Sequence, residues 1–257
     1  MKISIVTVCR NDAEGLKRTI DSVRIQKYRN LEFIITDGAS TDGSIEIIKR
    51  NSDIIDKWVS ESDTGIYNAM NKSLKQCSGD YVIFMNAGDC FYDENVLYNV
   101  FKDNPNSDVV YGDVKFEKIS YANPEIKTLQ DFFCKSPFCH QGVFTKLAKI
   151  QNMHFLEDYP IVADWIMFVS LFMEGCSFRY VPFVVSQCAN GGKSSDAGIN
   201  NQERLRYLEE HFCKRITDDY VELMKIKGGI LYNYYVRLEK TKKLKYYIFN
   251  ALKLFHL

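Results

Sequence analysis

ISIVTVCRND, residues 3–12, sets an apolar, β-branched run directly against Arg10, Asn11 and Asp12. Runs of that kind form strands buried on both faces, and the apolar residues that follow at helical spacing, Leu16, Ile20 and Val23, predict an amphipathic helix. Strand, polar turn and helix then recur. Strands are expected over 31–36, 54–59 and 81–85, with helices over 44–50 and 65–77 between them. Such alternation builds βαβ units and a parallel sheet covered on both faces. Right-handed crossovers put all the strand carboxyl ends on one rim, where ligands bind in sheets of this type. Beyond these units the sequence predicts a helix over 96–101, a strand over 109–111, a less regular stretch as far as Pro137, a buried helix over 162–173 and a strand over 178–185. From Asn201 it reads as helical, with a break at Gly228 and Gly229.

The chain has 257 residues, 46% of them hydrophobic and 14% aromatic, enough for one or two packed cores, so disorder throughout is excluded. Its 33 basic residues balance 33 acidic ones, which gives no general attraction for nucleic acid. The balance hides an asymmetry: from Asn200 onward there are 12 basic and 7 acidic residues, a net of +5, against −5 before it. The eight cysteines show no CxxC, and none pairs with the four histidines at zinc-site spacing, so a structural zinc or a disulfide scaffold is not expected. The first apolar run is cut short by charged residues, unlike an export signal. The longest strongly apolar stretch, 165–173, is too short to cross a bilayer. A reduced, cytoplasmic protein is expected.

Four strand ends carry polar residues that core packing does not explain. They are Thr7 with Cys9 to Asp12, Asp37 to Gly43, Glu61 to Gly65, and Asn86 to Asp89. Asp12, Asp42 and Ser44 read first as caps and turn residues. Asp37, Asp63 and Asp89 are harder to dismiss, because three carboxylates converging on one rim repel unless a cation or hydrogen-bond donors occupy it. A metal-chelated diphosphate suits such a rim.

ISIVTVCRND, ITDGASTDGS (35–44), ESDTGIYNAMNKSL (61–74) and GDYVIFMNAGD (79–89), in that order and spacing, closely resemble the nucleotide-sugar-binding half of glycosyltransferase family 2. The resemblance covers about the first 115 residues. CHQGVF (139–144), ADW (163–165) and GGKSS (191–195) resemble the acceptor side of polysaccharide-assembly members less specifically. The fold implied is α/β of GT-A type: a Rossmann-like, mostly parallel sheet flanked by helices, with a helical C-terminal extension. Residues 1–115 would bind the nucleotide sugar, 116–199 would hold the acceptor and the catalytic base, and 200–257 would form the extension.

The resemblance also assigns roles. Asp37 and Asp63 fall where the family contacts the nucleotide, and Thr7 and Arg10 would line the same pocket, with Arg10 either on the diphosphate or in a solvated surface pair. Asn86-Ala87-Gly88-Asp89 stands at the DxD position, with Asn86 and Gly88 in place of acidic residues. That leaves Asp89 to hold a divalent cation, Mg²⁺ or Mn²⁺, together with phosphate oxygens and waters. Asp164 aligns with the base. It opens an apolar helix, where neighbours could raise its pKa. Glu157 and Asp158 are its rivals. His140 would touch the diphosphate, the metal or the acceptor, unless it is structural, and Lys193 would reach phosphate from a mobile loop, unless that loop is an ordinary turn.

The reaction implied is sugar transfer from a nucleoside diphosphate, uridine being the family's commonest base, to a hydroxyl of a glycan or lipid-linked acceptor. Inversion is the family's usual outcome. A nucleotidyltransferase is the alternative enzyme, although CRNDAEG makes a poor phosphate loop, and a binding module without turnover is the non-enzymatic one. Residues 230–257 mix apolar positions at three- and four-residue steps with Arg237, Lys240, Lys242, Lys243, Lys245 and Lys253, which describes a basic amphipathic helix. It would lie on the inner face of the cell membrane, pack on the protein's own body, or pair with a second subunit. A homo-oligomer therefore stays open.

Overall fold

A computed structural model describes residues 1–116, 119–121, 125–134, 139–188 and 197–227. Lys193, the rest of the 191–195 loop and the basic segment 230–257 lie outside the described residues. Met1–Arg204 forms one compact unit, and a second begins at Leu205.

The first half follows the alternation in the sequence: β1 (Ile3–Cys9), α1 (Ala13–Arg24), β2 (Leu31–Asp37), α2 (Ser44–Arg50), β3 (Lys57–Ser60), α3 (Ile66–Leu74) and β4 (Tyr81–Phe84). β1 pairs in parallel with both β2 and β4, and β2 with β3. β3 starts later than the apolar pattern suggests. Residues 51–54 form a turn, and at Asp56 the Phe33 amide is taken by the Asp56 carboxylate while the Asp56 amide donates to the Phe33 carbonyl, so the paired register begins at Lys57.

β5 (Cys90–Phe91), α4 (Val96–Phe101), β6 (Val109–Phe116), β7 (Ile119–Tyr121), α5 (Leu129–Cys134), a 3₁₀ turn (His140–Gly142), β8 (Val143–Lys146), α6 (Leu147–Ile150), α7 (Ala163–Met173) and β9 (Phe178–Cys188) complete the sheet region. The sheet order is β3-β2-β1-β4-β8-β6-β9-β5, with β7 on β6. Here the structure departs from simple alternation. β8 enters antiparallel between β4 and β6, β6 and β9 are parallel, and β5 closes antiparallel on β9.

The core runs through the sheet: Ile3, Ile5, Phe33, Ile35, Ile83 and Phe144 are fully buried, as are Leu16 and Ile20 of α1, which pack against it. α8 (Ala197–His211) straddles the unit boundary, and α9 (Lys214–Lys227) follows, tied back by the Thr217 hydroxyl on the Leu208 carbonyl. Among the described residues no helix is long and apolar enough to cross a membrane.

Candidate active site

The parallel pairing carries the polar strand ends to one rim. Cys9 of β1 is in register with Asp37 of β2, Asp37 with Ser60 of β3, and the Ala87 amide after β4 donates to the Val8 carbonyl. On the β2–β3 side, Asp37 is fully buried. Its Oδ2 accepts from the Ser40 amide at 2.9 Å and the Ser60 hydroxyl at 2.6 Å, while its Oδ1 is buried without a partner. Asn11 ties the two turns together: its amide donates to Ser40 Oγ, and its side-chain oxygen accepts from the Thr41 amide. The Asp63 side chain is nearly buried beside Arg10, whose guanidinium lies 3.7 Å away and whose side chain is 63% exposed. A Cβ at Gly38 would collide with the Asp63 carboxylate, so glycine lets that carboxylate keep its present place against the β2 turn. Asp12 and Asp42 act as read from the sequence, Asp12 capping α1 at Gly15 and Asp42 accepting from Ala13 and Ser44.

Thr7 is a correction. It is fully buried, and its hydroxyl donates to the Met85 carbonyl at 2.6 Å, pinning β1 to β4 instead of lining a pocket. Of the two ways for three carboxylates to share a rim, a cation or hydrogen-bond donors, the structure shows donors at each. Asp37, Asp63 and Asp89 share the rim, but each has its own partners, and among the described residues no group of three acidic, His or Cys side chains is arranged to hold a metal.

On the β4 side, residues 86–89 make a tight turn in which Gly88 takes φ +94°, a conformation that favours glycine, and the Asp89 amide donates to the Asn86 carbonyl. Thr19 of α1 clamps it, donating to the Asp89 carbonyl at 2.7 Å and accepting from the Gly88 amide. Asp89 is nearly buried, and burial pushes its pKa up against the pull of His140 and the Gln141 amide, which donates to Oδ2 at 3.1 Å. Asn86 Oδ1 is buried with no partner.

His140 joins this turn to α7. Its Nε2 lies 3.0 Å from Asn86 Nδ2, and its Nδ1 lies 3.0 Å from Asp164 Oδ2. With a proton on Nδ1 the ring donates to the carboxylate. Asp164 Oδ1 accepts from the Trp165 amide at 2.8 Å and the Tyr67 hydroxyl at 3.1 Å. Burial raises the Asp164 pKa, as its apolar neighbours led us to expect, but His140, the Trp165 amide and Tyr67 outweigh it and hold the carboxyl below its ordinary value. These donors fill three of a carboxylate's roughly four lone-pair sites and leave one on Oδ2. Its rival Glu157 is engaged elsewhere, anchoring its loop to α3 through Thr64, Asn68 and Asn71.

Tyr67, Gln141 and Thr19 were not singled out from the sequence. Tyr67 and Gln141 sit inside quoted motifs, two places from Gly65 and one from His140, and that adjacency was the available signal. Thr19 had none, since it reads as one more helix residue.

The glycosyl transferase family 2 profile matches residues 4–153. A PGL/p-HBAD biosynthesis glycosyltransferase of Mycobacterium bovis is 25% identical over 221 residues, covering 83% of each chain. The poly-beta-1,6-N-acetyl-D-glucosamine synthase of Staphylococcus epidermidis is 33% identical over 134 residues, half of this chain and 32% of that protein. Among solved structures, S. aureus TarS 1-349 in complex with UDP-GlcNAc has a TM-score of 0.65 at 16% identity, covering 87% of this chain and 72% of that one. Glucosyl-3-phosphoglycerate synthase from Mycobacterium tuberculosis, in complex with Mn²⁺, UDP and glucosyl-3-phosphoglycerate, has 0.60 at 16% identity, covering 81% and 79%. At such identity these two speak for the fold, which is GT-A. Running over more than half of the chain, and over all four strand ends that the sheet brings to its rim, the profile match makes this chain a member of glycosyl transferase family 2, an enzyme that transfers sugar.

Proposed function

We propose that the enzyme moves a sugar from a nucleoside diphosphate, a UDP-sugar, to a hydroxyl of a glycan or lipid-linked acceptor, with inversion, in surface polysaccharide synthesis. The similarity to a poly-N-acetylglucosamine synthase and the UDP held by structural neighbours support this choice of substrates. The observation that carries the reading is the His140 bridge, because one imidazole ties the turn at the DxD position to a carboxylate with a free lone pair.

The nucleotide would lie against Asp37 and Asp63. Asp37 is as buried as Thr7, but its Oδ1, unlike the Thr7 hydroxyl, has no partner, so a base N–H or a ribose hydroxyl would reach it as the turns around it open, and the largely exposed Arg10 would swing toward phosphate. The turn fits a hard, oxygen-liganded cation: it offers a buried carboxylate whose pKa burial has raised and a buried amide oxygen with no partner. Asp89, with Asn86 Oδ1, would hold Mg²⁺ or Mn²⁺, with the diphosphate and water completing the shell. When bound, the cation supplies charge neutralisation for the departing diphosphate. Asp164 Oδ2 takes the proton of the acceptor hydroxyl as that oxygen attacks the anomeric carbon from the face opposite the leaving group, which inverts the centre.

Asp164→Asn tests this. With a panel of UDP-sugars and Mn²⁺, the variant is expected to bind donor as the wild type does and to lose transfer by about a thousandfold. Turnover retained by the variant would remove Asp164 as the base.

A further inference from the structure

Tyr67 is buried, and its ring stacks on Phe155 at 5.4 Å, so the hydroxyl is held at one point. At that point it has a single proton and two acceptors: Asp164 Oδ1 at 3.1 Å and the Ile161 carbonyl at 3.0 Å. A hydroxyl rotates about its C–O bond at little cost, and it favours the acceptor carrying more negative charge. While Asp164 is ionised, that acceptor is the carboxylate. Once Oδ2 carries a proton, Oδ1 becomes an ordinary carbonyl oxygen, and the Ile161 carbonyl competes for the hydroxyl on equal terms.

We propose that Tyr67 is a positioning residue for sugar transfer: its hydroxyl holds Asp164 ionised by donating to Oδ1, and turns to the Ile161 carbonyl when Oδ2 takes the acceptor's proton. The inference rests on Asp164 being the base. In the step it serves, the acceptor oxygen forms its bond to the anomeric carbon. The bond from that carbon to the phosphate oxygen breaks, its electron pair leaves with the diphosphate, and the hydroxyl proton ends on Asp164 Oδ2. No proton leaves Tyr67, whose O–H only changes partner. A donor with one acceptor would stabilise the charged base alone and weaken it in proportion. The second acceptor limits that loss, so the carboxylate is charged before the reaction and still able to take a proton during it.

Among the described residues, the groups facing this pair are few. From α3 there is Tyr67 itself, and from the 3₁₀ turn and the residue before it there are His140 and Cys139. Asp89 faces His140 and Cys139, which both also face Asp164. From α8, Glu203 accepts from the Ile161 and Val162 amides, and Arg204 lies over the Trp165 ring at 5.0 Å. Glu203 therefore fixes the Ile161 peptide whose carbonyl is the second acceptor.

The test reads the Asp164 carboxyl directly, with no substrate present. The full chain is labelled with ¹³Cγ-aspartate, the Asp164 resonance is assigned by its loss in Asp164→Asn, and it is titrated in wild type, in Tyr67→Phe and with 3,5-difluorotyrosine at position 67. Tyr67→Phe is expected to raise the Asp164 pKa by about half a unit to one unit, since the charged form loses a donor. Fluorination makes the hydroxyl a stronger donor and is expected to lower it, so the two changes move the resonance in opposite directions. The acid limb of UDP release from the active UDP-sugar should move the same way in each variant. A residue that merely fills space would leave both titrations where the wild type has them, and that result would overturn the proposal. Should Tyr67→Phe fail to fold, the fluorinated protein alone decides, as its shape is nearly unchanged. Opposed titration shifts, with full turnover in Asp164→Asn, would instead overturn the base assignment on which the proposal stands.

Discussion

The two ends of the rim are built differently. On the β2–β3 side the turn residues hold one another across short stretches of chain: Asp37 to Ser40 and Ser60, and Asn11 to Ser40 and Thr41, are 3 to 30 residues apart. On the β4 side three of four side-chain links reach farther. His140 to Asp164, Gln141 to Asp89, Asn86 to His140 and Tyr67 to Asp164 span 24, 52, 54 and 97 residues. The end proposed to bind the nucleotide is thus assembled from neighbouring βα turns, whereas the end proposed for the chemistry exists only once β8 has entered beside β4 and α7 has docked. Binding and turnover should accordingly be separable by mutation.

The largest separation is expected at Asp89. Asp89→Asn removes the only carboxylate on the 86–89 turn while keeping an acceptor for Gln141. Transfer should fall by on the order of a hundredfold or more, and more Mn²⁺ should be needed to reach half of the remaining rate. UDP binding measured without metal should change little. An unaltered Mn²⁺ dependence would break the comparison by taking the cation away from this turn.

Asp37→Asn tests the other end, with a smaller effect. The amide can still accept from Ser40, but it presents no full negative charge to the ligand, and donor affinity by calorimetry should drop about tenfold, the worth of one charge-assisted hydrogen bond. The rate at saturating donor should stay near that of the wild type. If the rate falls and the affinity holds, the two ends are not separate in function.

The same division explains what the sequence disclosed. Continuous apolar runs located β1, β2 and β4, which are buried on both faces, helical spacing located α1, α2 and α3, and the strand-end residues after β1 and β2 were visible as polar breaks in apolar runs. β5, β7 and β8 are two to four residues long, too short for alternation to register, and the antiparallel entry of β8 is a tertiary choice that no local pattern encodes. Asp164 was legible as a charge opening an apolar helix. Its lowered pKa was not, because the donors that lower it, apart from the adjacent Trp165 amide, come from Tyr67 and His140, on two other elements. For a related reason the sequence left open whether a cation or hydrogen-bond donors keep Asp37, Asp63 and Asp89 on one rim: it places residues there, but not the separate donors that hold each of them.

Thr7 gives the smallest effect and the sharpest control, since it lies on the strand shared by both ends and was first assigned to the nucleotide pocket. In Thr7→Val the shape is kept and the hydroxyl to the Met85 carbonyl is lost. A buried hydrogen bond of this kind contributes about 1 kcal/mol, with a further penalty if the carbonyl finds no other donor. The expected result is a melting temperature lowered by a few degrees, with donor affinity and transfer rate unchanged within about twofold. A drop in affinity like that of Asp37→Asn would return Thr7 to the pocket. It would also mean that the β1–β4 seam couples the two ends, since a residue with no exposed surface can reach the ligand only by shifting the turns it supports.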